Sequence, residues 1–140
     1  MTITYAYGKC TIKAKTPELI FNYFDLFNHV QEFIWNPTTL YLPDDYENAV
    51  SKTEDNHHQL EFEFDGSAYG NFSDHAENIF TDVLNKDFSD PNIIECRNEI
   101  MKNGIEIILN FDQIEKFKDN THHAIKINIA PTLVNNIESR

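Results

Sequence analysis

The chain has few of the residues that break or staple a fold. Its 140 residues include four glycines, five prolines and two cysteines. So little glycine and proline excludes a collagenous, low-complexity or disordered polypeptide. Two cysteines, Cys10 and Cys96, exclude a disulfide framework and predict buried thiols in a reducing cytoplasm. No apolar run approaches the ~20 residues of a membrane-spanning helix. Met1-Thr2-Ile3-Thr4-Tyr5 has no basic segment leading into an apolar one, so no cleaved leader is expected. Basic residues are also scarce, 11 against 23 acids, for a net charge of −12. No lysine/arginine cluster exists that would neutralise phosphates, which argues against direct nucleic-acid binding.

Motifs that carry chemistry are missing as well. No Cys-x-x-Cys or His-Glu-x-x-His spacing occurs, and the adjacent pairs His57-His58 and His122-His123 would point to opposite faces of a strand. No metal or cofactor is therefore expected. Gly66-x-x-x-Gly70 lacks the lysine and the spacing of a phosphate loop. His75, beside Asp74 and Glu77, is the best acid–base candidate, but no motif places a nucleophile next to it. The chain reads as a binding protein and not an enzyme.

What is present is a core and a regional charge. Hydrophobic residues make up 41% and aromatics 13% of the chain, enough for one domain spanning 1–140, with 131–140 as a tail expected to fray. Residues 41–90 hold 13 acids and two bases, Lys52 and Lys86, a net of −11. At the centre lies Gln59-Leu60-Glu61-Phe62-Glu63-Phe64-Asp65, alternating as a half-buried strand does. Glu61, Glu63 and Asp65 would form a row with a spacing of about 6.7 Å. A turn at Gly66–Gly70 and a helix from Ser73 to Leu84 should follow.

Elsewhere, residues 2–15 read as a strand whose phase changes at Gly8, where a bulge would sit. Thr16-Pro17-Glu18 opens a helix that should stop before Asn36-Pro37. Thr38–Leu42 suggests a short strand, Pro43–Glu47 a turn, and Ser51–His58 an exposed loop. Ile93–Met101 and Ile105–Phe111 read as a hairpin around Asn103-Gly104. A short helix at Asp112–Asp119 and a strand from His123 to Ile129 complete the order β-α-β-α-β-β-(α)-β. The expected fold is α+β: a mainly antiparallel sheet with two amphipathic helices on one face, related to ferredoxin-like arrangements.

The functional expectation follows from charge and size. Asp44, Asp45, Glu47, Glu54, Asp55, Glu61, Glu63, Asp65, Asp74 and Glu77, with Tyr69 as an aromatic contact, would form a carboxylate-rich docking surface. Its partner would be a basic, nucleic-acid-handling protein whose groove the carboxylates enter in place of phosphates. Immunity proteins against nuclease toxins and phage-encoded inhibitors of CRISPR or restriction complexes belong to this class. Two other readings stand beside it: a small-ligand site near His75 and Tyr69, and a self-associating module.

Overall fold

In the computed structural model, residues 2–31 and 37–132 are described. The end of the first helix before Asn36-Pro37 and the tail beyond residue 132 lie outside the described residues. The elements in order are β1 (Ile3–Ala14), α1 (Pro17–Gln31), β2 (Thr38–Tyr41), α2 (Tyr46–Ala49), β3 (Ser51–Lys52), β4 (His58–Tyr69), α3 (Phe72–Asp82), α4 (Pro91–Asn103), β5 (Ile105–Glu115) and β6 (Thr121–Ile129). The strands form one antiparallel sheet in the order β2-β4-β1-β5-β6, with β3 pairing the other end of β4. The protein is thus α+β, with a six-stranded antiparallel sheet and three substantial helices.

Alternation along the strands builds the two faces. Cys10, Ile12 and Ala14 of β1, Leu60, Phe62 and Phe64 of β4, and Ile107, Leu109 and Phe111 of β5 point into the core. Ile20, Tyr23 and Phe27 of α1, Phe72, Ala76 and Phe80 of α3, and Ile100 of α4 meet them there. Phe27 stacks on Phe80 with ring centroids 4.7 Å apart. The buried Tyr23 hydroxyl donates to the Phe80 carbonyl at 2.6 Å, which ties α1 to α3 and satisfies a polar group that has left water.

One edge of the sheet is closed by side chains. Asn28 of α1 donates to the Leu40 carbonyl at 3.0 Å and accepts from the Leu40 N–H at 3.1 Å. Gln31 accepts from the Thr38 N–H at 3.1 Å. The outward backbone groups of β2 are thereby occupied, which removes a template for further strand pairing.

The structure corrects four expectations. First, β1 has no bulge: its pairing runs without a skipped residue from Ile3 to Ala14 against β4 and from Thr4 to Lys13 against β5. The phase never changes, so the small residues Thr4 and Ala6 face the core while Ile3, Tyr5 and Tyr7 face outward. Gly8 serves a close approach instead. A Cβ on it would press on the Asn110 carbonyl oxygen and lie 2.6 Å from Phe111 Cα.

Second, Ile93–Met101 is helical. Asp90 caps α4 by accepting from the Asn92 N–H at 2.9 Å, Pro91 fits the first turn, and Gly104 ends the helix at φ 76°. Asn103-Gly104 is therefore a helix-to-strand junction, and Cys96 lies on a helix. Third, β4 continues through Gly66 to Tyr69, leaving only Gly70 and Asn71 to turn into α3. Fourth, Asp112–Asp119 holds no helix: β5 runs to Glu115 and a turn follows.

Candidate functional site

The three long helices cover one face of the sheet and leave the other open. Across that open face the register sets the side chains in rows. One row reads Thr39, Asp65, Tyr7, Asp112 and His122; the next reads Tyr41, Glu63, Lys9, Asn110 and Ala124. Beyond them stand Glu61, Thr11, Ile108 and Lys126, then Gln59, Lys13, Glu106 and Asn128. Toward the opposite end lie Ser67, Tyr5 and Ile114, and then Tyr69 and Ile3.

Glu61, Glu63 and Asp65 do form an exposed row on β4, but they have partners. Lys9 Nζ of β1 stands 3.6 Å from Glu61 and 3.6 Å from Glu63. The Tyr41 hydroxyl donates to Asp65 at 2.8 Å, and that bond holds the phenol above its ordinary titration range. Exposed ion pairs of this kind add little stability. Their effect here is to set the potential: the row is screened by its own neighbour strand. Asp112 and Glu106 add carboxylates to the face, while His122 and Lys126 lie 3.0 Å and 3.4 Å from them.

The remaining expected residues are distributed by the fold. Asp44 joins Lys9, Tyr41, Leu42, Glu61 and Glu63 around a shallow cleft of about 320 Å³. Asp45 precedes α2 with a left-handed backbone and its carboxylate accepts from the Asn48 side-chain amide, and Glu47 lies on that short helix. Glu54 and Asp55 lie in the β3–β4 turn at the far end of the sheet. Asp74 and Glu77 are exposed on α3, which packs against the other face, so they do not extend the row. Tyr69 does lie on the open face, 47% exposed. His75 is exposed beside Gly70, and neither it nor Tyr69 lines the clefts at Lys13–Pro131, at Tyr41–Glu63 or between α1 and α4.

Asp55 is held by Lys13, whose Nζ lies 2.7 Å away, and by the Thr53 hydroxyl. These two bonds lower its carboxyl from 3.8 to about 2. A folded-state value below the unfolded one gives stabilisation that is fully present above pH 3.8 and is lost as pH falls through about 2. A carbon-detected NMR titration of the side chain should find its midpoint near 2 in the native protein, and Lys13→Met should move it back up. A midpoint unchanged by that substitution would show that Lys13 does not hold the carboxylate.

Sequence reasoning named Tyr69 but missed the outward tyrosines of β1, Tyr5 and Tyr7. Seven large apolar side chains are exposed among the described residues: Ile3, Tyr5, Tyr7, Tyr41, Leu42, Tyr69 and Phe117. Five stand on the open face, Leu42 borders its cleft, and Phe117 sits in the β5–β6 turn at the end where Tyr5 and Ile114 pair. None belongs to α1, α3 or α4. The signal was available: Thr4, Ala6 and Gly8 continue the parity of Cys10 and Ile12.

Among the described residues no group of three His, Cys, Asp or Glu side chains is placed to hold a metal ion, and no helix is long and apolar enough to cross a membrane. The fold and surface define a small α+β protein with one bare sheet face. Comparison with protein-family models, curated proteins and solved structures returns no match to this chain.

Proposed function

We propose that the protein is a binding protein that inhibits a basic, nucleic-acid-handling partner by docking its open sheet face onto it. The observation that carries this reading is the segregation of exposed apolar side chains. Tyr5, Tyr7, Tyr41 and Tyr69 share with the carboxylates of β4 the one face without helices. Tyrosines recur among the residues that dominate binding energy at protein interfaces, because they bury area at low entropic cost and keep a polar tip. The carboxylates select the sign of the partner: with a net charge of −12 the chain approaches a basic surface faster than a neutral one would. Immunity proteins against nuclease toxins and phage-type inhibitors of CRISPR or restriction complexes are the functional classes that fit.

The topology supports a ferredoxin-like reading of the scaffold. β1 and β2 flank β4 and are joined by α1, and β4 and β5 flank β1 and are joined through α3 and α4, with β6 appended. Free Cys10 and Cys96 accord with a reducing cytoplasm.

The test is affinity capture from the native host, or from the cell it competes with, at low and at high salt. A basic partner retained at low salt and released at high salt is expected. Replacing Glu61, Glu63 and Asp65 together by alanine should slow association and weaken its salt dependence. A partner bound equally by that variant, or no partner beyond a second copy of the chain, would contradict the reading.

A further inference from the structure

We propose that Phe117 is an anchor residue, an apolar knob that the protein inserts into a hydrophobic pocket on its protein partner. The inference rests on the docking reading above and names the contact that would give it specificity.

Phe117 is unexplained by the fold in two independent ways. Its side chain is 95% exposed, the most exposed large apolar residue described. Its backbone lies at φ 68°, a left-handed conformation in which a bulky side chain is an outlier and glycine or asparagine is at ease. The turn between β5 and β6 needs such a conformation, but it does not need a ring. Either Asn or Gly would relieve the backbone and remove the exposed surface together. An outlier of this kind is better explained by what the side chain meets outside the molecule than by anything it meets inside.

Its position fits the open face. The turn leaves β5 one residue past Ile114, which pairs with Tyr5, at the end of the sheet where Ile3 and Tyr69 form the next row. The knob thus lies at the apolar end of the sheet, away from the Glu61–Asp65 carboxylates. Its surroundings are close to charge-neutral: Lys118 pairs with Glu115 at 3.1 Å, and Lys116 Nζ lies 5.0 Å from the Phe117 ring centroid. Lys116 covers one side of the ring as a cation–π contact, and it can swing away at small cost when the ring enters a pocket. A net charge of −12 opposes binding to an anionic membrane, so a protein pocket is the favoured receptor.

The experiment compares Phe117→Asn with the native chain in three measurements: thermal melting, binding to the purified partner captured as above, and sedimentation with phosphatidylcholine/phosphatidylserine vesicles. Melting should rise by about 3 °C as the left-handed strain is relieved. Affinity for the partner should fall about 30-fold or more. Neither chain should sediment with vesicles. A lower melting temperature would mean that the ring supports the fold, and would overturn the proposal. Unchanged affinity, with the Glu61/Glu63/Asp65 triple variant still weakened, would overturn it while leaving the docking reading intact. Affinity unchanged in both variants would remove the docking reading as well. Vesicle binding that depends on Phe117 would reassign the ring to a lipid surface.

Discussion

Gly8→Ala should lower the folding stability by about 3 kcal/mol or more, a large part of what a domain of this size possesses. The reason is local and severe. Gly8 is in the central strand β1, paired with Phe64 on one side and Phe111 on the other. An added Cβ would lie 2.6 Å from Phe111 Cα and 2.8 Å from Phe111 Cβ, and closer still to the Asn110 carbonyl oxygen. These are backbone and near-backbone atoms with no rotamer to change. Relief requires β1 and β5 to separate where both carry the core, and the cost of overpacking then adds to the loss of ladder hydrogen bonds. Gly66 provides the comparison. A Cβ there meets the Thr38 hydroxyl at 2.6 Å and the Phe72 ring at 2.8 Å, side-chain and not backbone atoms, so Gly66→Ala should cost less. Urea denaturation of both variants would rank them. A midpoint for Gly8→Ala equal to that of the native chain would mean that β1 is bulged at Gly8 after all.

Removing Tyr5 and Tyr7 together, as Tyr5→Ser/Tyr7→Ser, should weaken partner binding about 100-fold, since interface tyrosines carry more energy than rim charges. The two rings are 55% and 49% exposed on the same outward face of β1. They precede Lys9 on the outward side of a central strand, so they meet a partner without first having to be ordered. Folding should be almost unaffected, because their side chains leave the core untouched. The paired control is Asp74→Ala/Glu77→Ala on α3, which removes two carboxylates from the helix side. Titration calorimetry should show the control binding within about threefold of the native chain, as expected for exposed charges outside the contact. Equal losses in both variants would mean that the contact is not confined to the open face.

Much of this molecule was legible because its strands obey a strict alternation. The β4 segment reads correctly because three phenylalanine or leucine positions interleave with three acids, and a slip of one residue would bury all the charges. The start of α1 and the amphipathic α3 were equally plain. The region Ile93–Met101 was not, because its isoleucines fit either period and Asn103-Gly104 is as much a helix stop as a hairpin turn. Asp90-Pro91 decides between the two, and it repeats the start signal already present at Thr16-Pro17.

The candidate site was legible only by half. Charge is visible in composition, so Glu61, Glu63 and Asp65 could be found. Their screening by Lys9 depends on which strand lies beside β4, and that is set by tertiary pairing. The same pairing turns Tyr5 and Tyr7 outward and sets the small residues Thr4 and Ala6 on the core side. The acidic segment at residues 41–90 is consequently less of a single surface than its sequence suggests: α3 carries part of it to the covered side, and the β3–β4 turn holds Asp55 against Lys13.

The central claim, that the helix-free face is the contact surface, is tested most directly by covalent footprinting of tyrosine and carboxyl side chains with and without the captured partner. Tyr5, Tyr7, Tyr69, Glu61 and Glu63 should be protected in the complex, with Asp74 and Glu77 labelled as in the free protein. Protection confined to Asp74 and Glu77, with the tyrosines of β1 still fully labelled, would contradict it.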